Sequence, residues 1–247
     1  MKIMITRPKE QMLGLVHSLE ATGNLTILAP LIRIEHLKLV PNDLKQFIDW
    51  SNIIIFTSQN TILPTIGRIK DLEIFDEKKI FAIGRKTRER LLAKKIGQVS
   101  IPKSTNSTEG LLTLNELSQF HIGNKNILIV KGQGGRKKLG HNLLKRGANL
   151  KYIDSYQRKE TNISISRVLQ AEDIKTPDLI IITSGSILLS LVKKIKSENL
   201  NALFSTPLLV VSQRLAKIAR RLGFNGAIRT SENANDESIL DSIKYWG

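Results

Sequence analysis

Two stretches with the same grammar constrain this chain more than anything else in it. Residues 53–61 read Ile-Ile-Ile-Phe-Thr-Ser-Gln-Asn-Thr, and residues 179–187 read Leu-Ile-Ile-Ile-Thr-Ser-Gly-Ser-Ile. Each is a short, β-branched, apolar run without alternation, then Thr-Ser, then an amphipathic stretch. A run apolar on both faces fits a strand buried between helices in a parallel sheet. The Thr-Ser pair then falls where the strand ends and a helix begins. Hydroxyls and unpaired N–H groups there either hold an anion or simply cap the helix. One copy does not separate these readings; several strand ends of the same character favour anion binding.

Similar runs recur at 2–6, 79–84, 126–131 and 208–212. Amphipathic segments lie between them, with Gly23, Gly97, Gly147 and Gly223 as helix stops and a kink expected at Pro64. Gly97 is expected to end the helix that Gly84-Arg85 opens. Strands alternating with helices indicate α/β architecture with parallel sheets. About ten strands in two half-chains point to two small sheets rather than one. The polar, extended stretches around 30–38 and 152–160 are where the chain is expected to cross between domains.

Six strand ends carry small or cationic donors: Thr6-Arg7, Thr57-Ser58, Gly84 to Thr87, Lys131-Gly132 to Arg136, Thr183-Ser184 to Ser186, and Ser212 to Arg214. None of these residues is a carboxylate, and no Ser/His/Asp arrangement is among them. Such a set suits oxygen anions. The Gly-Gln-Gly-Gly run after Lys131 is neither a Walker loop nor a dinucleotide fingerprint. With no cysteine, thiolate ligands and cysteine nucleophiles are excluded, and the four histidines lack metal-site spacing. No signal-peptide core and no apolar run of about 18 residues is found, so a cytoplasmic chain without membrane contact is expected. The formal charge of +16 leaves three readings open: a proteome habit, a nucleic-acid surface, or attraction for a polyanionic small substrate. The helix-turn-helix, zinc-finger and aromatic-rich RNA patterns are missing.

The ordered motifs resemble the uroporphyrinogen-III synthase family. They are Ile-Thr-Arg-Pro at the start, Phe-Thr-Ser-Gln-Asn, Ala-Ile-Gly-Arg-Lys-Thr, Lys-Gly-Gln-Gly-Gly-Arg, Tyr156-Gln-Arg158, Ile-Thr-Ser-Gly-Ser, Val-Ser-Gln-Arg-Leu-Ala and Ser-Glu-Asn-Ala-Asn at 231–235. The chain departs from the pattern at Lys131, Gln213 and Asn235, where arginine, glutamate and a hydroxyl residue are common. The resemblance implies two small flavodoxin-like α/β domains, 1–34 with 158–247 and 38–153, joined by connector strands at 35–37 and 154–157. It implies the cyclisation of hydroxymethylbilane to uroporphyrinogen III, with loss of water and inversion of the terminal pyrrole ring. No metal or organic cofactor is implied. The partners implied are the small octacarboxylate substrate and a transient contact with the preceding pathway enzyme, for a monomer binding neither nucleic acid nor membrane. On this resemblance Tyr156 is the candidate acid. Thr6, Arg7, Thr57, Ser58, Gly84, Thr87, Lys131, Gly132, Arg136, Thr183, Ser184, Ser186, Ser212, Arg214 and Asn235 are the candidate binding residues. A two-domain anion sensor and a basic nucleic-acid binder are the alternatives; the first would return its ligand unchanged, the second would show a steep salt slope.

Overall fold

The computed structural model describes residues 1–247 apart from Ser104, Arg136, Tyr245 and Gly247. The described residues form eleven strands: β1 (Lys2–Ile5), β2 (Leu25–Leu28), β3 (Ile32–His36), β4 (Ile53–Phe56), β5 (Lys79–Ala82), β6 (Val99–Ser100), β7 (Asn126–Gly132), β8 (Asn149–Glu160), β9 (Leu179–Ile182), β10 (Leu208–Val210) and β11 (Ile228–Thr230). The chain divides into two compact units, Met1–Arg33 with Lys159–Gly247, and Ile34–Arg158.

The first unit holds a five-stranded sheet in the order β11-β10-β9-β1-β2. Every pairing in it is parallel. Counted within the unit, this is the order 2-1-3-4-5, one of the two common doubly wound arrangements. The apolar runs explain it directly. Ile3, Ile5, Leu179 and Ile181 pack on one face against Leu15 and Leu19 of the helix Leu13–Glu20. Met4, Ile180 and Ile182 pack on the other face against Ile187, Leu188 and Leu191 of the helix Gly185–Ser197. Successive strand residues point to opposite faces, so a strand covered on both sides has no polar position to spare. Each such side chain taken out of water contributes about 1.5–3 kcal/mol.

The second unit holds a six-stranded sheet in the order β3-β8-β7-β4-β5-β6. Its pairs β7-β8, β7-β4, β4-β5 and β5-β6 are parallel. Counting from β4, the five strands other than β3 run 3-2-1-4-5, the other common doubly wound order. The helix after β4 (Ile62–Thr65) and the helix after β7 (Lys138–Lys145) again cover opposite faces. Ile62 packs with Ile54 and Phe56, whereas Leu139 and Leu143 pack with Ile53 and Ile55.

This opposition creates the site. Where two neighbouring strands send their helices to opposite faces, a crevice opens beyond the strands' carboxyl ends. In the first unit those neighbours are β1 and β9; in the second they are β4 and β7. The two Thr-Ser repeats follow β9 and β4, so each repeat borders its own unit's crevice.

Candidate active site

In the second unit, Thr57 leaves β4 held to β7. Its N–H and its hydroxyl both donate to the carbonyl of Val130, at 3.0 and 3.2 Å. Ser58 is in extended conformation, and its Oγ accepts from Asn60 N–H at 3.3 Å. Gly84 precedes the helix Arg85–Leu92 and accepts at its carbonyl from the Thr87 N–H at 3.0 Å. Gly84 has φ −139, and an added Cβ would meet nothing nearer than 3.9 Å. Backbone geometry therefore does not demand glycine there; what its absence of a side chain leaves is room above the helix N-terminus. Thr87 is buried.

At the end of β7 the register with β8 slips. Lys131 opposes Asp154, but Gly132 opposes Tyr156, so Ser155 is an extra residue on β8. Its hydroxyl donates to the Lys131 carbonyl at 3.1 Å. A bulge of this kind re-aims the side chains that follow it. Tyr156 follows it, 1% exposed, with its ring against the Gly132 backbone. Its phenolic oxygen lies 2.7 Å from Arg158 Nη2. Tyr156, Arg158, Gly132, Lys131, Thr57 and Ser58 all line one cavity of about 850 Å³ within this unit.

In the first unit, Thr6 is fully buried and donates to the Ile181 carbonyl at 2.6 Å, tying β1 to β9. Thr183 and Ser184 follow β9. The Ser184 Oγ accepts from Ile187 N–H at 3.3 Å and lies 3.0 Å from the Ser186 hydroxyl. Ser212 caps the helix Gln213–Arg221 by accepting from Leu215 N–H at 3.2 Å. Asn235 does the same for the helix Asp236–Lys244, accepting at Oδ1 from Ser238 N–H at 2.7 Å. Arg214 is exposed on the first turn of its helix.

The capping and binding readings are compatible. A capping hydroxyl spends an acceptor lone pair on the helix and keeps its O–H to donate. Ser58 and Ser212 therefore each retain a donor, and the Ser184–Ser186 pair retains one between them, beside the free N–H groups of a helix N-terminus, an arrangement suited to carboxylate oxygens.

Two cations assigned to anion binding are already paired. Arg7 is 3% exposed; it donates through Nη1 to Asp236 at 2.6 Å and through Nη2 to the Ala234 carbonyl at 2.7 Å. It braces the start of the last helix. Lys131 Nζ lies 2.6 Å from Asp154 Oδ1, so a carboxylate does stand at this edge, contributed by β8. The assignment of Arg136 falls outside the described residues. Among the described residues, no cluster of three His, Asp or Glu side chains is placed to hold a metal ion.

Arg158 was not among the expected site residues, although the signal was present. It stands two residues beyond Tyr156 on a strand, and residues at that spacing share a face. Tyr152, which also lines the cavity, packs its hydroxyl end against Gly140, where a Cβ would collide with it. That glycine requirement is invisible without the fold.

Residues 14–241 match a family model described as uroporphyrinogen-III synthase HemD. The uroporphyrinogen-III synthase of Escherichia coli K12 is 29% identical, over 99% of this chain and all of that protein. The one from Salmonella typhimurium LT2 is 30% identical, again over 99% of this chain and all of that protein. Among solved structures, uroporphyrinogen III synthase from Thermus thermophilus aligns with TM-score 0.61 at 14% identity, covering 98% of this chain and 97% of that one. The Helicobacter pylori protein aligns with TM-score 0.61 at 17% identity, covering 100% and 99%. At such identities the structural likeness speaks for the fold.

Proposed function

Because the chain belongs to the uroporphyrinogen-III synthase family of porphyrin and heme biosynthesis, we propose that its strand-end donors bind the carboxylates of hydroxymethylbilane and that Tyr156 protonates the hydroxyl that leaves. The enzyme is then a cyclising hydro-lyase. The donors are Thr57, Ser58, Gly84 and Thr87 in the second unit, and Thr183, Ser184, Ser186, Ser212, Arg214 and Asn235 in the first. The backbone at Gly132 completes the Tyr156 setting. Thr6 and Arg7 support these edges from beneath, through Ile181 and Asp236. The chain acts as a cytoplasmic monomer with no cofactor, meeting the enzyme that supplies its substrate only transiently.

The chemistry asks little of the protein in bond breaking. The pyrroles of the substrate stabilise the cation left when the hydroxyl departs as water. The methylene carbon then bonds to the substituted carbon of the terminal ring, giving a spiro intermediate that opens, recloses inverted and loses a proton. Without direction, closure occurs at the wrong carbon. The binding donors therefore do most of the work by orientation, for which intramolecular positioning can supply roughly 7–11 kcal/mol.

The observation that carries this reading is Tyr156 itself, a residue lining the cavity beside the β4–β7 crevice, its hydroxyl held by Arg158. The test is incubation with enzymatically generated hydroxymethylbilane and isomer analysis of the oxidised product. Type III should dominate with no added metal or cofactor. A mixture no richer in type III than the protein-free control contradicts the reading, as does recovery of the ligand unchanged.

A further inference from the structure

We propose that Arg158 is a positioning residue that fixes the direction of proton transfer at Tyr156. The inference rests on Tyr156 acting as the acid.

A guanidinium can only donate, whereas a phenol both donates and accepts. The 2.7 Å bond between Arg158 Nη2 and Tyr156 Oη therefore has one possible sense: the phenolic oxygen accepts. Its own proton is left to point elsewhere, and the residue lines the cavity. The pair stands on β8 at adjacent same-face positions past the Ser155 bulge, so a strand rather than a loop sets the geometry. The guanidinium carbon lies 5.1 Å from the ring centre, a second contact on the same ring. Arg7 and Lys131 are neutralised by Asp236 and Asp154. Arg158 differs: it is exposed, and among the described residues no carboxylate pairs with it, so its charge beside Oη is screened by water but not neutralised by a carboxylate.

The step balances. The Tyr156 O–H bond breaks as its proton passes to the substrate hydroxyl, the C–O bond breaks, and water leaves. The phenoxide so formed keeps the Arg158 hydrogen bond, now between opposite charges and stronger than before. The proton shed when the closed macrocycle regains its aromatic ring restores the phenol.

The test is a kinetic double-mutant cycle on hydroxymethylbilane, with the spontaneous rate subtracted. Arg158→Met should lower kcat about tenfold, the lower end for loss of one hydrogen bond to a charged group, with KM within about twofold. Arg158→Lys should restore part of the loss. In a Tyr156→Phe background, Arg158→Met should lower kcat no further. Equal losses in both backgrounds would overturn the proposal and leave the acid reading standing, as would a change confined to KM. Full turnover by Tyr156→Phe alone would sink the acid reading, and the proposal with it. Thermal melts establish folding first; Arg158→Gln, which keeps a neutral donor, replaces the methionine variant if that one does not fold, with the same expected outcomes.

Discussion

Tyr156 owes its place to a residue without a side chain. A Cβ at position 132 would lie 2.5 Å from Tyr156 Cζ and within 3 Å of both neighbouring ring carbons. Neither the Gly132 backbone nor a ring on a paired strand can yield cheaply. Gly132→Ala should therefore push the hydroxyl from its position, costing about 1–3 kcal/mol of stability by overpacking and lowering turnover of the folded protein. A melt combined with steady-state kinetics checks both; wild-type turnover in a folded Gly132→Ala protein would mean the ring position is unimportant. The sequence offers Gly132 as a candidate binding residue at the head of a loose glycine run, with no sign of a steric role. Its steric role needs the β7–β8 register, which slips by one residue at this point. Arg7 and Lys131 show the same limit from the side of charge. Their carboxylate partners are 229 and 23 residues away, and no local pattern reveals whether a cation is free or paired. The capping role of the serines was legible in the sequence, because a hydroxyl at a strand-to-helix junction is placed to accept from the first turn; the proposed anion binding draws on the same hydroxyls.

Elements add a pH-dependent contact outside the site. Glu198 follows the helix Gly185–Ser197, and its carboxylate accepts from Ser166 N–H at 2.8 Å and Ser164 Oγ at 3.1 Å, at the start of the helix Ile165–Ala171. Burial pushes its pKa up, but the hydrogen bonds from Ser166, Ser164 and Ile165 together outweigh it and hold the carboxyl below its ordinary value. The folded value lies below the unfolded one, so the ionised form adds stability above the unfolded value, and that stability is lost as pH falls through the folded value. Glu198→Gln should thus melt at a lower temperature than the parent near neutral pH, with the gap closing in acid. A gap that is constant with pH would show that the charge is irrelevant. Element boundaries were the less legible part of the chain. The helix opened by Gly84-Arg85 ends at Leu92 rather than near Ile96, and Lys95, not Gly97, takes the left-handed turn with φ 61. The reason is Ile96: buried, it donates its N–H to the Leu91 carbonyl at 3.1 Å, and burying it closes the helix early. Pro64, expected to kink one helix, instead sits in a segment split into three short turns, Gln59–Thr61, Ile62–Thr65 and Ile66–Arg68.

At the scale of the molecule, the α/β class and parallel sheets were readable because strands covered on both faces must be apolar throughout. Strand order was not readable, since nothing in β4 says that β7 rather than β6 will lie beside it. Yet the order is what turns six scattered strand ends into two crevices. The net charge of +16 becomes interpretable only with a polyanionic substrate in view. Long-range attraction between the two is screened by salt, with a Debye length of about 8 Å at physiological ionic strength. KM for hydroxymethylbilane should therefore rise as salt is added while kcat stays nearly constant; a KM indifferent to salt would return the charge to a general trait of the proteome. Labour in the proposed site is divided: the strand-end donors fold the substrate and Tyr156 supplies only a proton. The isomer distribution formed by Tyr156→Phe, compared with the parent at equal conversion and with its rate, measures this directly. Turnover should fall by about 100-fold or less with product still mainly type III. A slower enzyme whose product shifts toward the spontaneous isomer would contradict it, because Tyr156 would then be shaping the substrate rather than protonating it.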